Sequence, residues 1–332
     1  MSTLYLAPLE GITTYVYRNA FKKYYGGIDK YFTPFLTASH LKGREKREVH
    51  PDNNQGIEVV PQILTNDSSL FVTISKQLAE LGYREVNLNL GCPSGTVVSK
   101  GRGAGFLDRV TELDKFLDDI YDQLPDMKIS IKTRIGVEFE SEWDDILEIY
   151  KKYPIEELII HPRLRNDFYD GQVRLDAYGK AMKSVIPLCY NGDIVDVESY
   201  QRISSYIEEK AKEFSYPVKD TFMIGRGVIA NPELPGMLKK IDGEMTFGSD
   251  VEAKEEIKKK DIDRKKLRAF LGDIVDSYLV EMSNEKQVVM KMKELWTYLA
   301  KGLELDVQDI KAIHKTNRLA DYKSVEQMIL LR

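Results

Sequence analysis

Eight short β-rich runs, each followed by a turn and then a helical pattern, predict a (β/α)8 barrel over the first 226 residues. A remainder with no convincing strand predicts an all-helical domain behind it. The runs are LYLAPL (4–9), YFTPFL (31–36), EVVPQIL (58–64), EVNLNL (85–90), KISIKTR (128–134), ELIIHPR (157–163), IPLCYN (186–191) and TFMIGR (221–226). Between them, SSLFVTISKQLAELG (68–82) repeats Phe71, Ile74, Leu78 and Leu81 at helical spacing before Gly82 ends it. VTELDKFLDDIYDQL (110–124) likewise puts Leu113, Phe116, Leu117, Ile120 and Leu124 on one face. A doubly wound open sheet shares this alternation, but the Gly-rich dinucleotide fingerprint it uses after its first strand is missing.

The pattern changes after GRGVIANPELPGML. LRAFLGDIVDSYLVEM (267–282) and VVMKMKELWTYLAKGL (288–303) read as amphipathic helices, with two shorter ones following. The expected division is a barrel over residues 1–245 and a helical domain over 250–332, joined through the Gly- and Asp-containing stretch near 242–250.

Composition narrows the class. MSTLYLAPLE has neither the charged start nor the apolar run of a signal peptide, and no apolar run nears the roughly 20 residues of a membrane span. Cys92 and Cys189 are too few for a disulfide framework or a cysteine-built metal site, so a cytoplasmic protein with reduced thiols is expected. His40, His50 and His314 show no metal-ligand spacing. The net charge of −5 does not advertise a nucleic-acid binder, but residues 251–332 hold 17 Lys and Arg against 15 Asp and Glu. The densest basic run, KKKDIDRKKLR (258–268), has the ordinary alternative of a solvated helix face.

In such a barrel the active site lies at the C-terminal strand ends. There the sequence puts APLEG after the first strand, Gln62 on the third, and Asn87, Asn89 and then Cys92 on the fourth. Lys132 and Arg134 follow on the fifth, His161 and Arg163 on the sixth, Asn191-Gly192-Asp193 after the seventh, and Gly225-Arg226-Gly227 after the eighth. Strand alternation puts Asn87 and Asn89 on one face and Val86, Leu88 and Leu90 on the other. If the apolar faces meet the helices, the polar ones point into the barrel mouth, which is costly unless something binds there. A strand-borne Lys132 with no motif-fixed carboxylate invites an anionic cofactor. The last two strand ends suit a phosphate, with glycine backbone and an arginine fork. Cys189, among apolar neighbours, reads as a small core residue.

Taken together, YLAPLEGIT, NLNLGCPSGTVVSKGRGAGFL, IKTRIG, IIHPRLRNDFYDG, YNGDI and MIGRGVIANPEL resemble the dihydrouridine synthase family, FMN-dependent enzymes that reduce specific uridines in tRNA. The resemblance runs in order from about residue 4 to 235, and MKMKELWTYL (290–299) is similar, less specifically, to the family's C-terminal RNA-binding domain. It implies a TIM barrel in which Ala7, Pro8 and Leu9 lie along FMN while Gln62 and Lys132 hydrogen-bond its pyrimidine edge. It sets His161 near flavin and phosphate, and Asn191, Gly192, Asp193, Gly225 and Arg226 around the ribityl phosphate. Asn89 and Tyr169 would contact uracil, and Arg134 and Arg163 are candidates for RNA or cofactor contact. Leu9 stands where methionine is usual, and Pro162 where many members have glycine.

The same resemblance implies that NADPH (or NADH) reduces FMN, that the flavin gives hydride to uracil C6, and that Cys92 protonates C5. A thiol with a pKa near 8.5 is mostly protonated at neutral pH and suits a general acid. The target base would leave its stack to reach the site. SGTVVSKGRGAG could close over it, with Lys100 and Arg102 reaching phosphates. The expected partners are tRNA and NAD(P)H, with no membrane, no metal and a monomeric chain. A flavin barrel acting on a free pyrimidine, or an RNA-binding barrel without catalysis, are the rival readings.

Overall fold

The computed structural model describes residues 1–217, 220–247, 262–282 and 284–331, with side chains of 244–247 left aside. The end of the joining stretch near 242–250 and the start of the basic run 258–268 lie outside the described residues. Nine strand segments form one all-parallel sheet: β1 (Thr3–Leu6), β2 (Lys30–Phe32), β3 (Val59–Val60), β4 (Gln62–Ile63), β5 (Glu85–Leu90), β6 (Lys128–Arg134), β7 (Leu158–His161), β8 (Leu188–Tyr190) and β9 (Thr221–Ile224).

The nine segments fill eight barrel positions. The run expected as one third strand splits at Pro61, because proline has no N–H to give a ladder. β3 keeps its partner β2 and β4 pairs with β5, giving the order β3-β2-β1-β9-β8-β7-β6-β5-β4. Pro61 still accepts from Asn87 N–H at 2.9 Å, and Thr33 Oγ1 accepts from Gln62 N–H at 3.1 Å. These bonds carry the sheet across the break and close the (β/α)8 barrel.

Both expected outer helices form, as Ser68–Glu80 and Val110–Gln123, and the first is capped where Asp67 accepts from Leu70 N–H. Val86, Leu88 and Leu90 face these helices fully buried. The lumen holds a separate apolar cluster of Tyr5, Ala7, Phe32, Val60, Ile159, Cys189 and Met223. Cys189 is therefore the small interior residue expected of it.

Beyond the barrel come Arg264–Glu281, Glu285–Gly302, Val307–Lys315 and Leu319–Leu330, all helices. They pack against the barrel's outer layer through one continuous apolar cluster. The Phe270 ring meets Tyr17 at 5.5 Å and Tyr25 at 5.2 Å, edge-on in both cases, and Tyr278 Oη lies 2.8 Å from Thr14 Oγ1. Gly302 allows a closer approach. A methyl group there would fall 1.9 Å from the Ala230 carbonyl oxygen, so Glu285–Gly302 touches the barrel's Arg226–Ala230 helix backbone to backbone. That contact brings a tail helix to the rim of the barrel mouth. No described helix is long and apolar enough to cross a membrane.

Candidate active site

The strand ends and the tail helix enclose a cavity of about 580 Å³. Its lining includes Ala7, Pro8, Leu9, Gln62, Asn89 and Cys92 from the first half of the barrel. The second half contributes Lys132, Arg134, His161, Tyr169, Asn191, Gly192, Asp193, Gly225 and Arg226. Residues spread over more than 200 positions thus converge because each follows, or ends, a strand of one barrel.

Cys92 sits in a turn built by Asn89. The Asn89 Oδ1 accepts from the N–H groups of Gly91 and Cys92, each at 3.0 Å, and its Nδ2 donates to Gln62 Oε1 at 2.7 Å. The segment expected to close over a base is already packed down. Ala104 N–H donates to the Cys92 carbonyl at 3.1 Å, and a methyl group on Gly103 would stand 2.8 Å from that same oxygen. With φ near +57°, Gly103 is a position for which glycine is required on both counts. The Cys92 thiol is half-buried, and burial pushes its pKa up despite the opposing pull of Lys132 and Arg134. A proton donor results, not a thiolate.

The Lys132 side chain reaches the cavity from β6 and makes no hydrogen bond or ion pair to another described residue. Burial, and next the Arg134 charge, lower its pKa to about 8. His161 is held well below its ordinary value by burial and by Arg134, Lys132, Arg163 and Arg226 around it. Its Nε2 lies 3.2 Å from Arg163 Nη1. A guanidinium only donates, so Nε2 accepts and the imidazole carries its one proton on Nδ1. His161 is a neutral donor at a cavity wall.

The two arginines expected as RNA or cofactor contacts spend guanidinium hydrogens on groups inside the protein, Arg134 doing so from a place in the cavity lining. Arg134 is fully buried and donates to Gly91 O (3.0 Å), Leu164 O (2.7 Å) and Phe168 O (2.6 Å). It ties the cysteine turn to the loop after β7. Phe168 has φ +47°, a costly conformation for a side-chain-bearing residue, and the Arg134 bond helps hold it. Arg163 is buried too, donating to Gly171 O at 2.6 Å and pairing in a fork with Asp193. Asp193 also accepts from Arg226 Nη2 at 2.9 Å, and both arginines hold its carboxyl below the usual range. The Arg163–Asp193–Arg226 set keeps a net charge of +1, with Arg226 as its accessible end. Tyr169 lies between cations, 4.7 Å from Arg226 and 5.4 Å from Arg134, beside the His161 ring.

Lys100 and Arg102 lie outside the cavity lining, on the packed segment after Cys92, where Asn66 bonds Lys100 O and Arg102 Nε. Thr297, Tyr298 and Lys301 line the cavity from the tail helix, and sequence reasoning missed them. The segment 288–303 reads as an amphipathic helix, and the structure turns Trp296 and Leu299 inward, but nothing local says which barrel edge the neighbouring face meets. Gly302, a glycine in a helix, was the one available signal of close approach. Among the described residues no group of His, Cys, Asp and Glu is placed to hold a metal ion.

A family model described as Dihydrouridine synthase (Dus) matches residues 5–312. A Bacillus subtilis protein named probable tRNA-dihydrouridine synthase 2 is 27% identical over 244 residues, which cover 68% of this chain and 69% of that one. A Staphylococcus epidermidis protein named probable tRNA-dihydrouridine synthase is 28% identical over 239 residues, with the same shares of each chain. The Staphylococcus aureus protein of that name is 27% identical over 244 residues, 68% of each chain. With the family model spanning nearly all of its length and a cavity lined by Cys92, Lys132 and His161 at the strand ends of the barrel, this chain is an enzyme that belongs to the dihydrouridine synthase family.

Proposed function

We propose that this enzyme reduces specific uridines of tRNA to 5,6-dihydrouridine, in the cytoplasm, with FMN as its cofactor and NADPH or NADH as the reductant. The observation that carries the reading is the pairing of a protonated, half-buried Cys92 with an unpartnered Lys132 in one cavity.

The residues present fit FMN. Lys132 is a half-buried cation with no anionic partner among the described residues, and Gln62 lines the same cavity. Gly192 and Gly225 leave backbone uncovered where a phosphate would lie, and Arg226 brings the surplus positive charge of its set. Ala7, Pro8 and Leu9 would line the ring, with Asn191, fixed by its 2.7 Å bond to Met223 O, and Asp193 framing the phosphate end. When bound and reduced by the nicotinamide, FMN supplies the hydride for uracil C6.

The chain's own residues do the rest. Cys92 gives its proton to C5 and is reprotonated from solvent, so uridine, NADPH and one proton become dihydrouridine and NADP⁺. Asn89 holds the turn that presents the thiol. Its second Nδ2 hydrogen and the Tyr169 ring are the groups available to a base, and neutral His161 offers Nδ1–H. Arg134 and Arg163 act by positioning these groups. Lys100 and Arg102, beside the mouth, and the tail helices with Tyr298 and Lys301 meet the RNA, whose binding then weakens with salt. The chain works as a monomer.

One consequence concerns pH. In the free enzyme Lys132 should lose its proton near pH 8, whereas the carbonyl and ring-nitrogen acceptors at the pyrimidine edge of a bound flavin would favour the charged lysine. Binding therefore takes up a proton above that pH. Between pH 7 and pH 9 the FMN dissociation constant should rise about tenfold, read by flavin fluorescence, and Lys132→Met should abolish the rise. The reading as a whole is tested by the colour of the purified protein. It should be yellow, bleach with NADPH, and regain colour faster with unmodified tRNA than with free uridine. Equal recovery with free uridine would favour a small-pyrimidine enzyme.

A further inference from the structure

A chain of polar side chains crosses the barrel lumen and ends under Cys92. Lys30 Nζ pairs with Glu85 Oε2 at 2.9 Å, and Glu85 Oε1 accepts from Ser130 Oγ at 2.9 Å. Ser130 Oγ in turn accepts from Asn87 Nδ2 at 3.0 Å, and Asn87 Oδ1 from Gln62 Nε2 at 2.8 Å. Gln62 Oε1 accepts from Asn89 Nδ2, and Asn89 Oδ1 from the two N–H groups of the Gly91-Cys92 turn. The register makes the chain possible, since Gln62, Asn87 and Ser130 are direct neighbours on β4, β5 and β6.

Direction is the informative feature. Glu85, ion-paired to Lys30, is an acceptor only, so the single Ser130 hydrogen points at it across 2.9 Å rather than at the Val86 carbonyl 3.4 Å away. Ser130 then has only lone pairs for Asn87, which must present its NH₂ there and its carbonyl to Gln62. The same necessity turns Gln62 and then Asn89. With the carboxylate removed, each amide is free to flip, and a flipped Asn89 would set its NH₂ against the N–H groups of Gly91 and Cys92.

We propose that Glu85 and Ser130 are positioning residues that fix the cysteine turn through Asn87, Gln62 and Asn89. This rests on the reading of Cys92 as the acid. Nothing in the catalytic cavity touches either residue: neither lines it.

The test uses Ser130→Ala, Glu85→Gln and the conservative Ser130→Thr in the flavin-loaded enzyme, with Cys92→Ala alongside. Reduction of the flavin by NADPH should stay near wild type in all of them. Reoxidation by unmodified tRNA should slow about tenfold in Ser130→Ala and Glu85→Gln, the effect of one buried hydrogen bond lost, and recover in Ser130→Thr. A second readout needs no turnover. The pH profile of Cys92 alkylation by iodoacetamide should shift down towards the ordinary cysteine range, about 8.5, in Ser130→Ala as the turn loosens, and return in Ser130→Thr. If reoxidation and the alkylation profile in Ser130→Ala and Glu85→Gln match wild type while Cys92→Ala is inactive, the positioning proposal is overturned and the acid assignment stands. If Cys92→Ala reoxidises as wild type does, the acid assignment is what fails. Equal loss in Ser130→Thr would also overturn the proposal, since a merely packed lumen, not a directed chain, would explain it.

Discussion

Cys92→Ala should reduce the rate at which unmodified tRNA reoxidises the flavin by about 10²- to 10⁴-fold, the usual worth of a positioned general acid. Reduction of the flavin by NADPH should not change, because the thiol contributes nothing to that half of the cycle. The geometry behind the expectation is local. Gly103 and Ala104 pack on the Cys92 carbonyl, Asn89 binds its N–H, and burial keeps the thiol protonated. The pH dependence has a definite sign. The acid form is complete below the raised thiol pKa and is lost as pH rises through it, so tRNA-dependent reoxidation should fall in the alkaline range. Rapid-mixing spectroscopy of the two half-reactions reads both effects. A loss confined to flavin reduction would contradict the assignment.

Arg134→Met should be the most destabilising single change near the site, costing about 3–5 kcal/mol, since each buried carbonyl left without a donor costs on the order of 1–3 kcal/mol. The guanidinium is fully buried and satisfies three carbonyls, those of Gly91, Leu164 and Phe168. A methionine replaces the aliphatic stem but stops short of the guanidinium, leaving those oxygens without a donor, which is the expensive way to lose a hydrogen bond. Two functional elements would loosen together, the Gly91-Cys92 turn and the Phe168 backbone that sets Tyr169 beside His161. Urea denaturation should show the loss as a lower midpoint with an unchanged slope. Lys100→Met, on the exposed rim, should leave the midpoint where it was, and a similar loss there would contradict this account.

Particular residues show what the sequence could and could not reveal. β5 and β6 coincide with their expected bounds because Val86, Leu88 and Leu90 on one strand, and Ile129 and Ile131 on the other, alternate with polar residues at a period of two. The third strand was read as continuous, and Pro61 broke it. Only the structure shows that neighbours on both sides carry the barrel past the gap. Lys132, Arg134, His161 and Arg163 look alike in the sequence, as polar residues on lumen-facing positions. Lys132 differs in that no loop among the described residues supplies its side chain with an acceptor, whereas Gly91, Leu164 and Phe168 supply Arg134, and Gly171 and Asp193 supply Arg163. Those partners lie from 8 to 43 residues away, beyond any periodic signal. The tail's share of the cavity was invisible for the same reason. It depends on Gly302 meeting Ala230, a contact set by packing and not by either segment alone.

The most direct test of the central claim is a nucleoside mass-spectrometric search for dihydrouridine in unmodified tRNA after incubation with the flavin-loaded protein and NADPH. The account predicts a product two hydrogens heavier than uridine at defined positions, formed by the wild type and nearly absent with Cys92→Ala. Unchanged uridine at every position, from a protein whose flavin is demonstrably reduced, would contradict it.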